Sequence, residues 1–407
     1  MVYWLLACSK KDESVDSILT ILKSRVRNGG LCEEVHSFDV PDKLRFGSFD
    51  NLIGHADELA KWDQQVEGVL RRVERVVSEL SPDADFYVFV KGKQQTVEHF
   101  TRTFKWDDAK WPRTRQLGDN IQLLLNQVHK YDEDIKQKSL SLQDARNQVN
   151  TLSKKEGSLM NQDLVDVLTP TVVRPGDFVN SLHVTTLVVI VPGDCEQDWL
   201  EKYERLEQFV VPKSGKKFEQ CTDKDGTAVW RVVMFRSAVE GFKAACKSTR
   251  FVVREFDFSE ETYSATLQRR SSLEAECRRQ DDQLNKMSRY AWSDVFAAWV
   301  HVKTMRTFVE SVLRFGMDSQ SNAPNFAAFI VKPASSSSAC AKELRKVLHD
   351  VFVSKGIFGH SFISDGSDKG KSQVEAGGPE NALLGEVGEY YPYVSITLSP
   401  LLEKKSH

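Results

Sequence analysis

A mixed α/β fold, drawn out into a dumbbell by a helical neck, follows from three features of this 407-residue sequence. The first is an apolar seam over residues 115–155, in which Ile121, Val128, Ile135, Leu142 and Val149 recur every seven residues. Leu117, Leu124, Tyr131, Ala145 and Leu152 fill the intervening places, with Lys138 the one polar occupant. A repeat of 3.5 residues keeps a narrow stripe facing a partner helix, which is the signature of a coiled coil. At ~1.5 Å per residue, ~40 helical residues make a rod of about 60 Å, a length suited to holding two bodies apart. The second feature is an alternation of strand-like and helix-like runs over residues 172–258, which implies a small αβ unit with its own core. The third is that strand-like apolar runs stand near both ends of the chain. The two ends are therefore expected to complete one αβ body.

The elements follow in order. Val2-Tyr3-Trp4-Leu5-Leu6-Ala7-Cys8 reads as a buried first strand, since it lacks the basic start and the length of a signal peptide. Val15, Ile18, Leu19 and Leu22 give a short amphipathic helix over residues 14–24. Leu52, Leu59, Val66, Val73 and Leu80, accompanied by Ala56, Trp62, Leu70 and Val77, predict a helix of ~30 residues that ends before Ser81-Pro82. Phe86-Tyr87-Val88-Phe89-Val90 reads as a buried strand, and residues 106–112 as an aromatic, basic connection into the rod, which Gly157-Ser158 would stop.

In the middle unit Leu187-Val188-Val189-Ile190-Val191 is a strand stopped by Pro192-Gly193. Asp194 is placed to cap a helix carrying Trp199, Leu200, Tyr203 and Leu206. Strands over residues 229–235 and 251–256 flank a helix over 237–247. From residue 259 a second, weaker stripe (Leu267, Leu273, Cys277, Leu284, Met287) is expected to run antiparallel to the first rod. A further helix, crowded with Trp292, Val295, Phe296, Trp299, Val302, Phe308, Val309 and Val312, should be buried. Strands at 326–331 and 393–398 enclose a helix at 339–353. The domain plan is thus 1–114 with 291–407 as a foot, 115–160 and 259–290 as the two neck helices, and 161–258 as a head. Residues 364–388, rich in Gly, Ser, Asp and Lys, read as a surface loop.

Composition excludes several classes. With 55 basic against 58 acidic residues the net charge is −3, so no global bias toward nucleic acid or an anionic membrane exists. No apolar run approaches the ~20 residues of a membrane helix. Seven scattered cysteines in no close pair point to a reducing compartment, and neither a zinc site nor another cofactor is indicated. Gly366, Gly370, Lys371 and Ser372 have one residue too few between the glycines for a phosphate-binding loop. Gly359-His360-Ser361-Phe362-Ile363 lacks the second glycine of a nucleophile elbow, and His301, between Trp299 and Lys303, reads as a satisfied core histidine. Enzyme chemistry has no positive support. Two basic features remain. Lys213, Lys216 and Lys217 follow Val210-Val211-Pro212 on an expected loop that could receive an acidic partner or be simply solvated. Arg269-Arg270-Ser271-Ser272 has the form of a basic-directed kinase site, with Ser272 the candidate phosphosite; phosphate there would add up to ~2 negative charges beside arginines.

The segments together resemble the C-subunit family of the vacuolar-type proton-translocating ATPase (V-ATPase). The resemblance is carried by Phe104-Lys105-Trp106-Asp107-Asp108-Ala109-Lys110-Trp111-Pro112, by Thr185-Thr186-Leu187-Val188-Val189-Ile190-Val191-Pro192, and by Trp199-Leu200-Glu201-Lys202-Tyr203-Glu204 leading to Val210-Val211-Pro212-Lys213-Ser214. It continues in Phe251-Val252-Val253-Arg254-Glu255-Phe256 and is densest in Ala298-Trp299-Val300-His301-Val302-Lys303, Arg306 and Phe308-Val309-Glu310-Ser311-Val312-Leu313-Arg314-Phe315-Gly316. It implies a non-catalytic stator connector with a foot, a helical neck and a head. The head would bind the E and G subunits of the peripheral stalk, with Trp199, Lys202, Lys213, Lys216 and Lys217 as candidate contacts. The foot would meet the N-terminal domain of the membrane-sector a-subunit and a second stalk. Such a protein sits on the cytoplasmic side of vacuolar or other endomembranes and is cytosolic when the pump reversibly disassembles. The 364–388 loop is longer than that family leads one to expect. The alternative is a coiled-coil adaptor outside the pump, bridging two partners with cytoskeletal actin among the candidates.

Overall fold

The computed structural model describes residues 2–10, 13–152, 159–160, 162–174, 176–256, 258–318, 323–354 and 391–401. The helix stop at 157–158 and the loop at 364–388 lie outside the described residues. The fold is mixed α and β and falls into two compact units, residues 1–137 with 283–407, and residues 138–282.

The chain opens with β1 (Tyr3–Ser9) and α1 (Val15–Leu22), whose Ser14 cap accepts the Ser17 N–H at 3.2 Å. The helix continues as a π turn over Lys23–Arg27 before β2 (Cys32–Ser37). α2 (Phe49–Leu80), capped by Ser48, precedes a two-stranded hairpin of β3 (Tyr87–Val90) and β4 (Lys93–Thr96), then α3 (Val97–Arg102) and α4 (Leu117–Leu152). In the second unit come α5 (Leu164–Val167), β5 (Val184–Val191), α6 (Glu196–Lys202), β6 (Lys216–Thr222), β7 (Ala228–Phe235), α7 (Val239–Ser248) and β8 (Val252–Arg254). α8 (Glu260–Phe315) leads back to the first unit, which closes with β9 (Phe326–Pro333), α9 (Ser338–Ser354) and β10 (Val394–Leu398).

Four expectations need correction. The helix expected at 259–290 and the crowded one after it are a single 56-residue helix, α8, because no glycine or proline interrupts it; Gly316, at φ +73°, ends it. The strand expected at 86–90 is present over 87–90 but is not a buried one: among the described residues β3 pairs with β4 alone, and Val88 is its one buried residue. Asp194 caps nothing, since a 3₁₀ turn (Gly193–Cys195) intervenes, and its carboxylate pairs with Arg250 at 3.1 Å. Lys216 and Lys217 lie on strand β6, not on a loop.

The first unit's sheet has the order β10-β1-β9-β2, antiparallel throughout. Alternate side chains divide its strands between two cores. Tyr3, Leu5 and Ala7 of β1, with Phe326, Ala328 and Ile330 of β9, face the long helices. Trp4, Leu6 and Cys8, with Ala327, Phe329 and Val331, face α1 and α9. A strand covered on both faces needs apolar residues at every position, which is why both sequences are continuous apolar runs. On the helical face, Arg72 of α2 pairs with Asp132 of α4 at 2.9 Å and His55 lies against Gly118. Asp63 of α2 meets Trp299 of α8, and Ser81 meets Asn285. Within this unit α2 therefore runs parallel to α4 and antiparallel to α8.

The second unit repeats the principle with an antiparallel sheet of order β6-β7-β5-β8. Leu187, Val189 and Val191 pack with Trp199, Trp230 and Phe242 beneath α6 and α7. Val188 and Ile190 pack on the opposite face with Leu164, Leu168, Phe218 and Val229. Outside the sheet, Ser141 of α4 reaches Gln280 of α8 at 3.5 Å and Arg146 pairs with Asp281.

Candidate functional site

The seam residues of α4 divide by depth. Ile121, Val128 and Ile135 are buried in the first unit's helical core, and Leu142 is buried in the second unit. Val149 and Ala145 are half-buried and Lys138 is exposed, so cover over the stripe thins beyond Leu142. Tyr131, half-buried, donates its hydroxyl to Asp294 at 2.5 Å; burial first, then that carboxylate, pushes its phenol up to about 12. On α8 Leu284 is buried, Leu273, Cys277 and Met287 are half-buried, and Leu267 is exposed. Arg270, one of the polar residues that break the α8 stripe, is buried because Asp166 of α5 receives its guanidinium through both oxygens, at 2.5 and 3.2 Å. Ser271 and Ser272 beside it are exposed.

The five contact candidates of the second unit are not equivalent. Trp199 is fully buried, its ring 5.0 Å from Phe251 and 6.4 Å from Trp230, so it anchors the core and presents no surface. Lys202 is exposed and paired along its own helix with Asp198 at 2.9 Å. Lys217, half-buried, pairs with Glu196 at 2.8 Å and lies 6.0 Å from the Trp230 ring centroid. Lys213 and Lys216 are exposed, and neither makes an ion pair among the described residues.

The α8 segment around Trp299 holds the densest buried polar grouping. Asp63 Oδ1 accepts the Trp299 indole N–H at 2.7 Å; its Oδ2 accepts Lys303 Nζ at 2.9 Å and Arg306 Nη1 at 3.1 Å. Arg306 also reaches Glu310 at 2.6 Å. His301, as the sequence suggests, is a satisfied core histidine: Nε2 accepts the Asp107 backbone N–H at 3.1 Å and Nδ1–H donates to the Ala297 carbonyl at 2.7 Å. Trp111, Phe104 and Trp106 surround its ring at 4.1, 4.8 and 5.0 Å. Burial lowers its pKa to about 4, which keeps the imidazole neutral.

None of these groups is arranged for bond-making. The Asp63 carboxylate and the His301 ring are engaged in the hydrogen bonds above, and burial pushes the Cys8 and Cys246 thiols up to about 12. All seven cysteines are free. Among the described residues no three His, Cys, Asp or Glu side chains are grouped to hold a metal, and no helix is long and apolar enough to cross a membrane. Sequence reading missed Asp63, whose partners lie more than 230 residues away, and Phe209, which the run Phe209-Val210-Val211 disguises as core. For Asp63 one signal was available: with Glu74 it is one of two charged residues among the buried positions of its helix, and a charge there implies a buried partner.

Known proteins match the chain along nearly its whole length. The family described as the V-ATPase C subunit matches residues 3–394. The V-type proton ATPase C subunit of Caenorhabditis elegans is 31% identical over 402 residues, 98% of this chain and 96% of that one. The V-type proton ATPase C 1 subunit of Mus musculus is 30% identical over 355 residues, 86% and 88% of the two chains. A crystal structure of the cytoplasmic N-terminal domain of the V-ATPase I-subunit, a homolog of the a-subunit, covers 86% of this chain and 98% of its own with 12% identity, but its TM-score of 0.29 establishes no common fold. The family is a non-catalytic part of the proton pump. By a match spanning nearly its whole length, the chain belongs to the V-ATPase C-subunit family.

Proposed function

We propose that this chain is a stator connector of the V-ATPase. Its residues 161–258 form a head that binds the E and G subunits of the peripheral stalk, its two ends form a foot against the N-terminal domain of the a-subunit, and α4 and α8 form a neck, giving a dumbbell. The observation that carries this reading is the length and continuity of α8. Its 56 residues span about 84 Å at ~1.5 Å per residue, and no residue in them invites a break. A rotary pump must hold its stator against torque, and unbroken helices resist bending where a flexible linker would not. Two moderate interfaces, one at each end, combine through effective concentration into firm attachment that is still reversible, as regulated disassembly requires. The protein then works on the cytoplasmic side of an endomembrane and is cytosolic when released. Phosphate on Ser271 or Ser272, both exposed on α8, would place charge beside the Arg270–Asp166 pair and loosen this stretch of the neck. Phosphoproteomics that finds both serines always unmodified removes that part.

Co-purification tests the whole. A tagged copy expressed in its native cells should bring down stalk and catalytic subunits, and recovery of the chain with neither refutes the connector reading. Capture of actin in their place would favour the adaptor alternative.

A further inference from the structure

Two of the seven thiols meet in the first unit, where segments from near the two ends of the chain come together. Cys340 stands in the first turn of α9, half-buried, and its S–H donates to the Leu31 carbonyl at 3.7 Å. That carbonyl belongs to the peptide bond leading into Cys32, so two cysteines more than 300 residues apart in sequence are neighbours in the fold. Cys32 opens β2 and is 4% exposed, in the core that β2 shares with α1 and α9; Ala341, next to Cys340, packs on the same core. The two thiols also sense each other: burial pushes Cys32 up to about 11, the Arg27 charge opposes the rise, and Cys340 adds to it. Both backbones are pinned. The Leu31 N–H donates to the Val26 carbonyl at 3.2 Å, in the π turn of Lys23–Arg27, and the Leu31 carbonyl also accepts the Ala334 N–H at 3.0 Å. The Cys340 N–H donates to Ser337 Oγ at 3.3 Å, and the Ala341 N–H to the Ser337 carbonyl at 3.1 Å.

Two thiols on neighbouring, fixed backbones, one reachable from solvent and one not, have the layout of a dithiol in which one sulfur reacts first and the other resolves. We propose that Cys340 and Cys32 are a redox modification site, which a low-molecular-weight disulfide such as glutathione disulfide converts into an intramolecular disulfide. Cys340, having lost its proton to solvent, attacks one sulfur of the small disulfide. The small S–S bond breaks, a mixed disulfide forms on Cys340, and one small thiolate leaves. Cys32 then loses its proton, attacks Cys340 Sγ and expels the second small thiolate. Two protein thiols are oxidised, one small disulfide is reduced to two small thiols, and the two protons end on those thiols. The resolving step is the slower one, because burial keeps Cys32 protonated. The new bond joins β2 to α9 and closes a loop of more than 300 residues, which ties the N-terminal and C-terminal parts of the first unit together and restricts the unfolded chain.

The test incubates the purified full-length chain with glutathione disulfide and glutathione over a range of ratios, blocks the remaining thiols with iodoacetamide, and maps the peptides by mass spectrometry without reduction. Wild type should yield a Cys32–Cys340 cross-linked peptide, with the mixed disulfide on Cys340 appearing first and then decaying. Cys32→Ala should hold the glutathione adduct on Cys340 without decay, and Cys340→Ser should lose the cross-link and leave Cys32 unmodified. Oxidised wild type should melt about 5 °C or more above its reduced form, reversibly with dithiothreitol, and neither variant should show that rise. An adduct that persists on wild-type Cys340 at every ratio overturns the proposal, as does Cys340 recovered bonded to Cys195, to Cys277 or to a second copy of the chain. If Cys32→Ala does not fold, Cys340→Ser decides: oxidation of Cys32 in that variant at the wild-type rate shows that the buried thiol needs no partner, and overturns the proposal too.

Discussion

Replacing Asp63 with alanine removes the one carboxylate on which three donors of α8 converge. Asp63 is 3% and Lys303 5% exposed, so neither group has water to fall back on. The variant leaves a buried ammonium without its counter-charge and the Trp299 N–H without an acceptor. Deleting one side of a buried ion pair costs about 3–5 kcal/mol, and an orphaned buried donor about 1–3 kcal/mol. Two contacts soften the loss: Arg306 keeps Glu310 at 2.6 Å, and the Lys303 ammonium stays 4.7 Å from the Trp299 ring centroid. We expect about 4 kcal/mol, read from urea denaturation of the full chain by near-ultraviolet circular dichroism, where the buried tryptophans report. Asp63→Asn keeps an acceptor for the indole and should lose less, and the difference isolates that hydrogen bond. Asp63→Leu with Lys303→Met removes both charges and should recover most of the loss, because well-packed apolar pairs can replace buried ion pairs. A change below about 1 kcal/mol for Asp63→Ala would refute the account, since surface carboxylates behave that way. A double variant as unstable as the single would refute the electrostatic cause and leave packing in its place.

Other consequences are open to measurement. His301 has a folded pKa of about 4 against an ordinary 6.5, so the fold favours the neutral ring; the stabilisation is complete above pH 6.5 and is lost as pH falls through the window toward 4. The full span is worth on the order of 3 kcal/mol, and His301→Gln should flatten the pH 4–6.5 slope of unfolding free energy by that amount; an unchanged slope would mean that the ring is not held neutral. Ile135→Asp and Leu142→Asp should each cost several kcal/mol in thermal unfolding, whereas Val149→Asp, at a half-buried position, should cost about 0.5 kcal/mol or less; equal losses at all three would contradict the thinning cover beyond Leu142. Iodoacetamide followed by peptide mass spectrometry should modify half-exposed Cys195, Cys277 and Cys340 in the native protein and reach Cys8 and Cys246 only after denaturation. Early labelling of Cys8 would show that the β1 core opens locally.

What the sequence made legible was whatever depends on periodicity. The seven-residue series of α2 and α4 located both helices to within a few residues, because a sustained apolar stripe has no other stable use. Leu187-Val188-Val189-Ile190-Val191 announced a strand for the same reason, and the structure adds why each position is apolar: the two faces meet different cores. β2, Cys-Glu-Glu-Val-His-Ser over Cys32–Ser37, was not legible, since it is an edge strand whose few buried positions make no pattern. β6 escaped similarly, its lysines reading as a loop although Lys217 rests over Trp230 with Glu196 as its counter-ion. Partner surfaces were the least legible part. Trp199 looked like a contact and is core, while Phe209, beside the apolar Val210-Val211, is surface. Hydrophobicity cannot separate the two cases; only the backbone course along β7, fixed by pairing with Met234 and Phe235, decides them.

The chain order of the two sheets has a consequence for how the protein is made. In the first unit β1 pairs on one side with β9 and on the other with β10, so its central strand waits for partners more than 300 residues later. The buried cluster at Asp63 likewise waits for Trp299 and Lys303. Every strand of the second unit, in contrast, finds its partners between Val184 and Arg254, and both cores of that sheet are drawn from residues 159–258. Loop-closure entropy must be overcome before distant contacts reward it, so the inserted unit can reach its native state during synthesis while the unit that contains both chain ends cannot. Until β9 and β10 arrive, Leu5 and Leu6 are left on an open strand with unpaired edges. The first unit is therefore where destabilising substitutions such as Asp63→Ala should show up earliest, as lost yield before lost stability.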